Sequence, residues 1–227
     1  MLAKGSYLKS TIMKLLGVFI LGSVLSACAD PIPKSAITPV YKGQAPQKLS
    51  IGMTDQRSFI LDGNKEEWFE GILHGAYGIP ASLKRPGPKE GQPFTMYLSS
   101  MLADGLRTNG TNAPVVRIAR GVSKADAVKT VIDAHGTPGI IFEIFQSRYS
   151  VAWTRAEYNF NYNVIIADQT GEIVLEKKFA RFDTSIPLSD KYTIFDMYAE
   201  IYKMRLDEVL KDPEVVEALS SLAQPSA

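Results

Sequence analysis

Cys28 is the only cysteine among 227 residues, and it closes the run Leu25-Ser26-Ala27-Cys28. A single thiol forms no internal disulfide, and an odd cysteine in an exported chain has to be explained by other chemistry, of which acylation is one kind. The remaining candidates are sparse. His74 and His135 stand in different segments without a ligand-spaced neighbour, so H-E-x-x-H and C-x-x-C zinc patterns are absent and we expect no metal. Each is expected at the surface, His135 near a helix C-terminus where a cation is favoured. No G-x-S-x-G, P-loop or dinucleotide fingerprint occurs, so no cofactor is expected. Asp55 and Arg57 lie where a strand gives way to a loop, and a structural ion pair or turn closure is the reading we favour for them. Glu143, set among Ile141, Phe142, Ile144 and Phe145, is expected to point outward from a strand with one wet face. The pair Glu66-Glu67 falls in a solvated segment.

Upstream of Cys28, Lys4, Lys9 and Lys14 form a positive region, and an apolar run from Leu15 ends near Leu25. That is a signal-peptide pattern, too short for a comfortable membrane span. With the small pair Ser26-Ala27 before the thiol, the segment resembles a bacterial lipobox. The resemblance implies cleavage between Ala27 and Cys28, transfer of diacylglycerol to the thiol and acylation of the new amino terminus. Each buried acyl methylene contributes roughly 0.8 kcal/mol, so several chains make a lasting anchor. In lipoproteins resembling this one an Asp directly after the cysteine favours inner-membrane retention. Here Ala29 follows and Asp30 comes one step later, which implies the outer membrane, facing the periplasm.

Removal of residues 1–27 takes three lysines and no acid, so basic and acidic counts go from 25 and 24 to 22 and 24. A near-neutral mature chain lacks the strongly basic footprint of a nucleic-acid-binding domain. Residues 28–47 carry Pro31, Pro33, Pro39 and Pro46, and read as a lipidated cysteine followed by an extended tether. Residues 48–220 then form one domain, with a tail over 221–227.

Within that domain, Leu49, Ile51 and Met53 alternate with small residues as a half-buried strand does. Glycines and prolines punctuate residues 59–92, which reads as a long structured loop. Phe94, Leu98, Met101, Leu102 and Leu106 share one side of a helix that starts after Pro93 and stops before Gly110. A strand over 115–118 and a helix from Ser123 to Gly136 follow. The period then changes to two across Tyr158, Phe160, Tyr162, Val164 and Ile166, and after the turn Asp168-Gln169-Thr170-Gly171 it continues in Ile173, Leu175, Lys177 and Phe179. An apolar stripe from Ile194 to Leu206 makes a further helix, and Asp212-Pro213-Glu214 opens the last one. This order predicts an α+β single domain: a mixed, largely antiparallel sheet with a three-strand C-terminal meander and helices mainly on one face.

The lipobox, the Pro-rich stretch, a first strand ending in Asp55-Gln56-Arg57, the helix closing on Asn109-Gly110, the meander with Gly171 in its last turn and the Asp212-Pro213-Glu214 tail together resemble the YajG-type bacterial lipoproteins. That resemblance implies an outer-membrane lipoprotein and brings no catalytic residues with it. Aromatic side chains are the remaining candidates for function, since Tyr and Trp are enriched at interfaces. Trp68, Phe69 and Tyr77 of the loop and Trp153 of the meander are the candidate partner-binding residues, whereas Phe160 and Tyr162 should face the core. The expectation is a non-enzymatic envelope protein that binds a protein or lipid partner through its long loop or a sheet edge. The alternative is an accessory protein that handles lipid or glycolipid under the aromatic loop.

Overall fold

The computed structural model describes residues 32–74, 79–83, 91–152, 155–186 and 194–223. Its spine is β5 (Gly139–Ala152), a 14-residue strand long enough to take different neighbours along its length. β1 (Ser50–Asp55) runs parallel to the first part, with Ser50 opposite Gly139 and Asp55 opposite Ile144. β2 (Gly71–His74) runs parallel to the last part, Gly71 opposite Tyr149. β3 (Pro80–Leu83) pairs antiparallel with β2, and β4 (Val115–Arg117) pairs parallel with β1. On its other side β5 pairs with β6 (Arg155–Ala167), and β6 with β7 (Ile173–Ile186), as the antiparallel meander read from the sequence. The class is α+β, with one mixed sheet of seven strands.

Two apolar clusters lie on opposite faces of this sheet. α3 (Phe94–Thr108), α5 (Ile194–Leu210) and α6 (Pro213–Leu222) cover one face, where Leu98, Leu102, Tyr202, Leu206 and Leu219 meet Ile140, Phe142, Tyr158, Phe160 and Tyr162. α4 (Lys124–His135) covers part of the other, packing Val128, Val131 and Ile132 on Ile141 and Ile165. The helix ends follow local chemistry. The Ser123 hydroxyl accepts from the Asp126 N–H at 3.2 Å, Gly136 takes the left-handed conformation that stops α4 (φ 60°), and the Asp212 carboxylate accepts from the N–H groups of Glu214 and Val215 ahead of Pro213. Residues Ile140, Phe142 and Ile144 enter the main core on even numbers, but Tyr149 and Val151 do so on odd ones. A register shift between Ile144 and Gln146 is responsible: Phe145 is the extra residue, and it is left 42% exposed.

The structure changes four of the sequence readings. Residues 59–92 are more than a loop. Most of α2 (Ser58–Leu61) and all of β2 and β3 lie within that span, and the pairing of β2 with the far part of β5 is too non-local to show as periodicity. β1 is buried along its whole length rather than half-buried, because parallel neighbours flank it and helices cover both faces. Glu143 does face away from the main core, yet it is only 7% exposed: Asn163 donates to its carboxylate at 2.8 Å.

The fourth change concerns the tether. From Pro33 onward the chain is laid on the domain, beginning with the short helix α1 (Lys34–Ile37). Tyr41 is 3% exposed and belongs to the main core, with its hydroxyl donating to the Gln44 carbonyl at 2.7 Å. The Val40 N–H donates to the Asp207 carboxylate of α5 at 2.7 Å, and the Asn109 side chain donates to the Gly43 carbonyl at 2.8 Å. Gly105 of α3 has no Cβ where the Pro39 carbonyl lies; a Cβ there would stand 2.6 Å from that oxygen. Prolines favour an extended chain, but an extended chain can still be docked, and Tyr41 supplies the apolar side chain that docks it.

Candidate partner-binding edge

The candidates named from sequence scatter. Cys28, Ala27, Tyr77 and Trp153 lie outside the described residues. Trp68 is half-buried, and Phe69, 2% exposed, is a core residue that meets Phe59 edge-on at 5.4 Å between ring centres. Phe69 is thereby corrected from a partner contact to a packing contact. The strand ends that flank Tyr77 and Trp153 do come together, since Leu73 pairs with Val151 and Ala152 with Arg155.

Asp55 and Arg57 form a buried hub, as the structural reading held. Their side chains are 4% and 0% exposed, and the guanidinium binds both carboxylate oxygens, Nε at 2.8 Å and Nη2 at 2.6 Å. Nη1 donates to the carbonyls of Phe69, at 2.7 Å, and Ser147, at 3.3 Å, while the rings of Phe59 and Phe94 flank it. This clips β1 to the β2 approach and to β5. Nearby, Tyr149 lies 4.3 Å from the Tyr158 ring and 4.2 Å from the Tyr198 ring. The hydroxyls of Tyr158 and Tyr162 are 2.6 Å apart, and that of Tyr158 is 2.9 Å from the Ser147 hydroxyl. Burial pushes the phenols of Tyr149, Tyr158, Tyr162 and Tyr198 up, so they stay neutral under ordinary conditions. Tyr158 and Tyr162 are joined to each other and to Ser147 by hydrogen bonds, while Tyr149 and Tyr198 pack through their rings. His74 ends β2 with Nε2 3.4 Å from the Ser150 hydroxyl, and His135 ends α4.

What the sheet presents to a partner is its margin. Among the described residues no strand pairs with the outer side of β7, which runs for 14 residues. The other outer strands are short: β4 has three residues, and β3 has four and begins with a proline. An unpaired edge offers backbone N–H and C=O groups to any extended chain, and proteins usually blunt it with charge. On β7 several of the charges are drawn inward. Glu176 takes hydrogen bonds from Lys124 and Asn163 and is held below the usual carboxylate range by them, Lys124 foremost. Lys177 is bound by Glu214 at 2.7 Å and Asp212 at 2.9 Å, contacts that raise its pKa, the Glu214 contact most. Arg181 meets Glu208 at 3.3 Å, and Asp183 pairs with Arg205 of α5. The apolar side chains remain outside: Ile173 is 41% exposed, Val174 42% and Phe182 57%, three of the eight large exposed hydrophobic residues described. Lys178 lies exposed between them. Sequence pattern showed Ile173 as part of an alternating strand; that β7 is outermost is a property of the sheet order, which no local signal carries.

No protein-family model matches the chain, and no curated protein matches it. Solved structures do. A PelC dodecamer from Paraburkholderia phytofirmans, a single-substitution variant, is 11% identical with a TM-score of 0.37, over 83% of this chain and 94% of that one. Lipoprotein GNA1162 from Neisseria meningitidis is 8% identical with a TM-score of 0.31, over 73% and 98%. A Helicobacter pylori homologue of a neuraminyllactose-binding hemagglutinin is 11% identical with a TM-score of 0.30, over 81% and 97%. A bacterial lipoprotein is thus among the structural neighbours.

Proposed function

We propose that this chain is a lipid-anchored cell-envelope protein of the YajG type, held at the outer membrane by acylated Cys28, whose non-enzymatic periplasmic domain binds a protein partner by strand addition along β7. The supporting observation is the unpaired, partly apolar outer side of β7, together with the sequence signal for export and acylation. Strand addition takes affinity from main-chain hydrogen bonds and specificity from alternate side chains. The partner therefore offers an extended segment with apolar residues at alternate positions, to lie against Ile173, Val174 and Phe182. Burial of Phe69 removes one aromatic from the groove that a lipid-handling role required.

Photo-crosslinking in intact cells tests this. A crosslinking residue at Val174 or Phe182 should yield one discrete adduct, and one at Lys129 on α4 should not. Val174→Lys and Phe182→Asp, which add charge to the edge without entering the core, should remove the adduct while the protein remains folded and membrane-bound. Adducts that survive both substitutions, or that form equally from α4, overturn the proposal.

A further inference from the structure

The docked N-terminal segment sets how far the domain stands from the membrane and which side of it faces the lipid. If residues 28–47 were free, roughly 20 residues at about 3 Å each would hold the domain tens of ångströms away, in any orientation. The chain is instead fixed to the domain from α1, so that Ala29, Asp30 and Pro31 alone separate Cys28 from Ile32. At the extended limit of about 3.5 Å per residue, Ile32 cannot be more than about 14 Å from the acylated sulfur's backbone. The docked segment lies over α3 and α5, with Lys34 on Asp104, Pro39 on Gly105 and Val40 on Asp207. That is the layer on the opposite face of the sheet from α4.

Charge at this surface agrees with a lipid neighbour. Lys34 is 76% exposed beyond Asp104 at 32%, Arg107 is 49% exposed beyond the same acid, and Lys211 is 62% exposed beyond Asp207 at 11%. In each pair the cation projects further than the carboxylate. At these three pairs the outer charge is positive, by a wider margin than in the α4 pairs Lys124–Glu176 (42% and 39%) and Lys129–Asp133 (71% and 61%), which suits anionic headgroups.

We infer that the domain sits against the bilayer with its α1–α3–α5 side toward anionic phospholipid and its α4 side toward the periplasm. This rests on the acylation of Cys28 in the proposed function. It goes beyond it by fixing the orientation. Acylated Cys28 is capped, so one introduced cysteine is the only free thiol in the chain.

The test compares the acylated full chain carrying Ser35→Cys with one carrying Ala134→Cys on α4, each labelled with a donor fluorophore. Both are reconstituted in phosphatidylethanolamine–phosphatidylglycerol vesicles that contain an acceptor lipid. Energy transfer should be at least twofold greater from position 35, and Lys42→Cys should behave like Ser35→Cys. A 20-residue Gly-Ser insertion between Asp30 and Pro31 should erase the difference. Equal transfer from positions 35 and 134, or a difference that survives the insertion, overturns the orientation. A chain that stays in the aqueous phase on detergent partitioning refutes the anchor, and the orientation with it. A chain that partitions into detergent but shows equal transfer refutes the orientation alone.

Discussion

Replacing Tyr41 with alanine separates a docked segment from a leash. The ring is 3% exposed and belongs to the main core, and its hydroxyl donates to the Gln44 carbonyl. Aromatic-to-alanine changes in a core cost about 3–5 kcal/mol, and a tyrosine at the margin should fall near the lower end of that range. The loss has a ceiling: once the segment leaves its groove, further damage to it costs nothing, so the effect measures the docking free energy as much as the ring. We expect about 3 kcal/mol, or a melting temperature lower by ~6–12 °C for a domain of this size. The assay is urea and thermal denaturation of the unacylated mature chain with Cys28→Ser. Gly105→Ala, which pushes a Cβ to 2.6 Å from the Pro39 carbonyl, attacks the same contact from the α3 side. The two changes should therefore be less than additive. Tyr41→Ala within about 0.5 kcal/mol of the parent, the usual range for an exposed position, would refute docking and restore the leash.

Three further outcomes follow from the interior. Arg57→Met leaves the Asp55 carboxylate buried and unpaired and strips the Phe69 and Ser147 carbonyls of a donor, so equilibrium denaturation should show a loss of about 3–5 kcal/mol, with Asp55→Leu/Arg57→Met less damaged than Arg57→Met alone. Deleting Phe145 removes the extra residue and leaves plain alternation that keeps Ser147, Tyr149 and Val151 on the core face, so the variant should keep a cooperative transition and Phe145→Ser should stay within about 1 kcal/mol of the parent, whereas deleting Arg148, inside the regular ladder, turns Tyr149 and Val151 to the wrong face and should abolish that transition. Tyr41, Tyr149, Tyr158, Tyr162 and Tyr198 all have phenol pKa values raised, by burial first of all, above the unfolded value near 10. Raised values in the fold mean that their contribution is intact below pH 10 and is lost as pH rises further toward the folded values. Absorbance at 295 nm of the mature chain, which keeps nine of the ten tyrosines once Tyr7 is removed, should therefore show these five ionising together with unfolding, in one steep step; smooth titration of all nine near pH 10 would contradict their burial.

Much of the architecture was legible because its signals are local. Ser123 with Asp126, Gly136, Asp212-Pro213 and the alternation from Tyr158 to Ile166 each act within one or two turns of chain, and each stands in the structure as the sequence implied. The misreadings share the opposite property. β2 has four residues and is held by Tyr149 and Val151, more than 70 positions away, so its own sequence shows only glycine and proline nearby. The Phe145 bulge shows as nothing more than one apolar residue in an apolar run, because a change of parity is visible only once both halves of β5 have been assigned a face. Tyr41 was hidden by its company: four prolines made residues 28–47 read as extended, which is a statement about backbone shape and says nothing about contact. The candidate site suffered most. A catalytic centre leaves residue types in a pattern, whereas a binding edge is made by being last in a sheet, and Ile173, Val174 and Phe182 look like any strand until β7 is known to have no outer neighbour among the described residues.

The two proposals constrain each other. β7 borders the sheet, and α6 lies along it on the helical side through Lys177, Asp212 and Glu214. With the helical layer turned to the bilayer, the plane of the sheet lies roughly along the membrane and its β7 margin faces sideways rather than up or down. A partner strand added there would run beside the domain at a height of about one helix layer plus the headgroups, on the order of 10–20 Å from the lipid. That height suits a segment close to the point where a membrane-anchored partner leaves the bilayer, and it places a partner far out in the periplasm beyond reach. Lengthening the chain between Asp30 and Pro31 should accordingly weaken the β7 adduct in cells while leaving the isolated domain's fold unchanged. If the adduct forms equally well with a 20-residue insertion, strand addition and membrane apposition are independent, and the partner can meet the domain at any height.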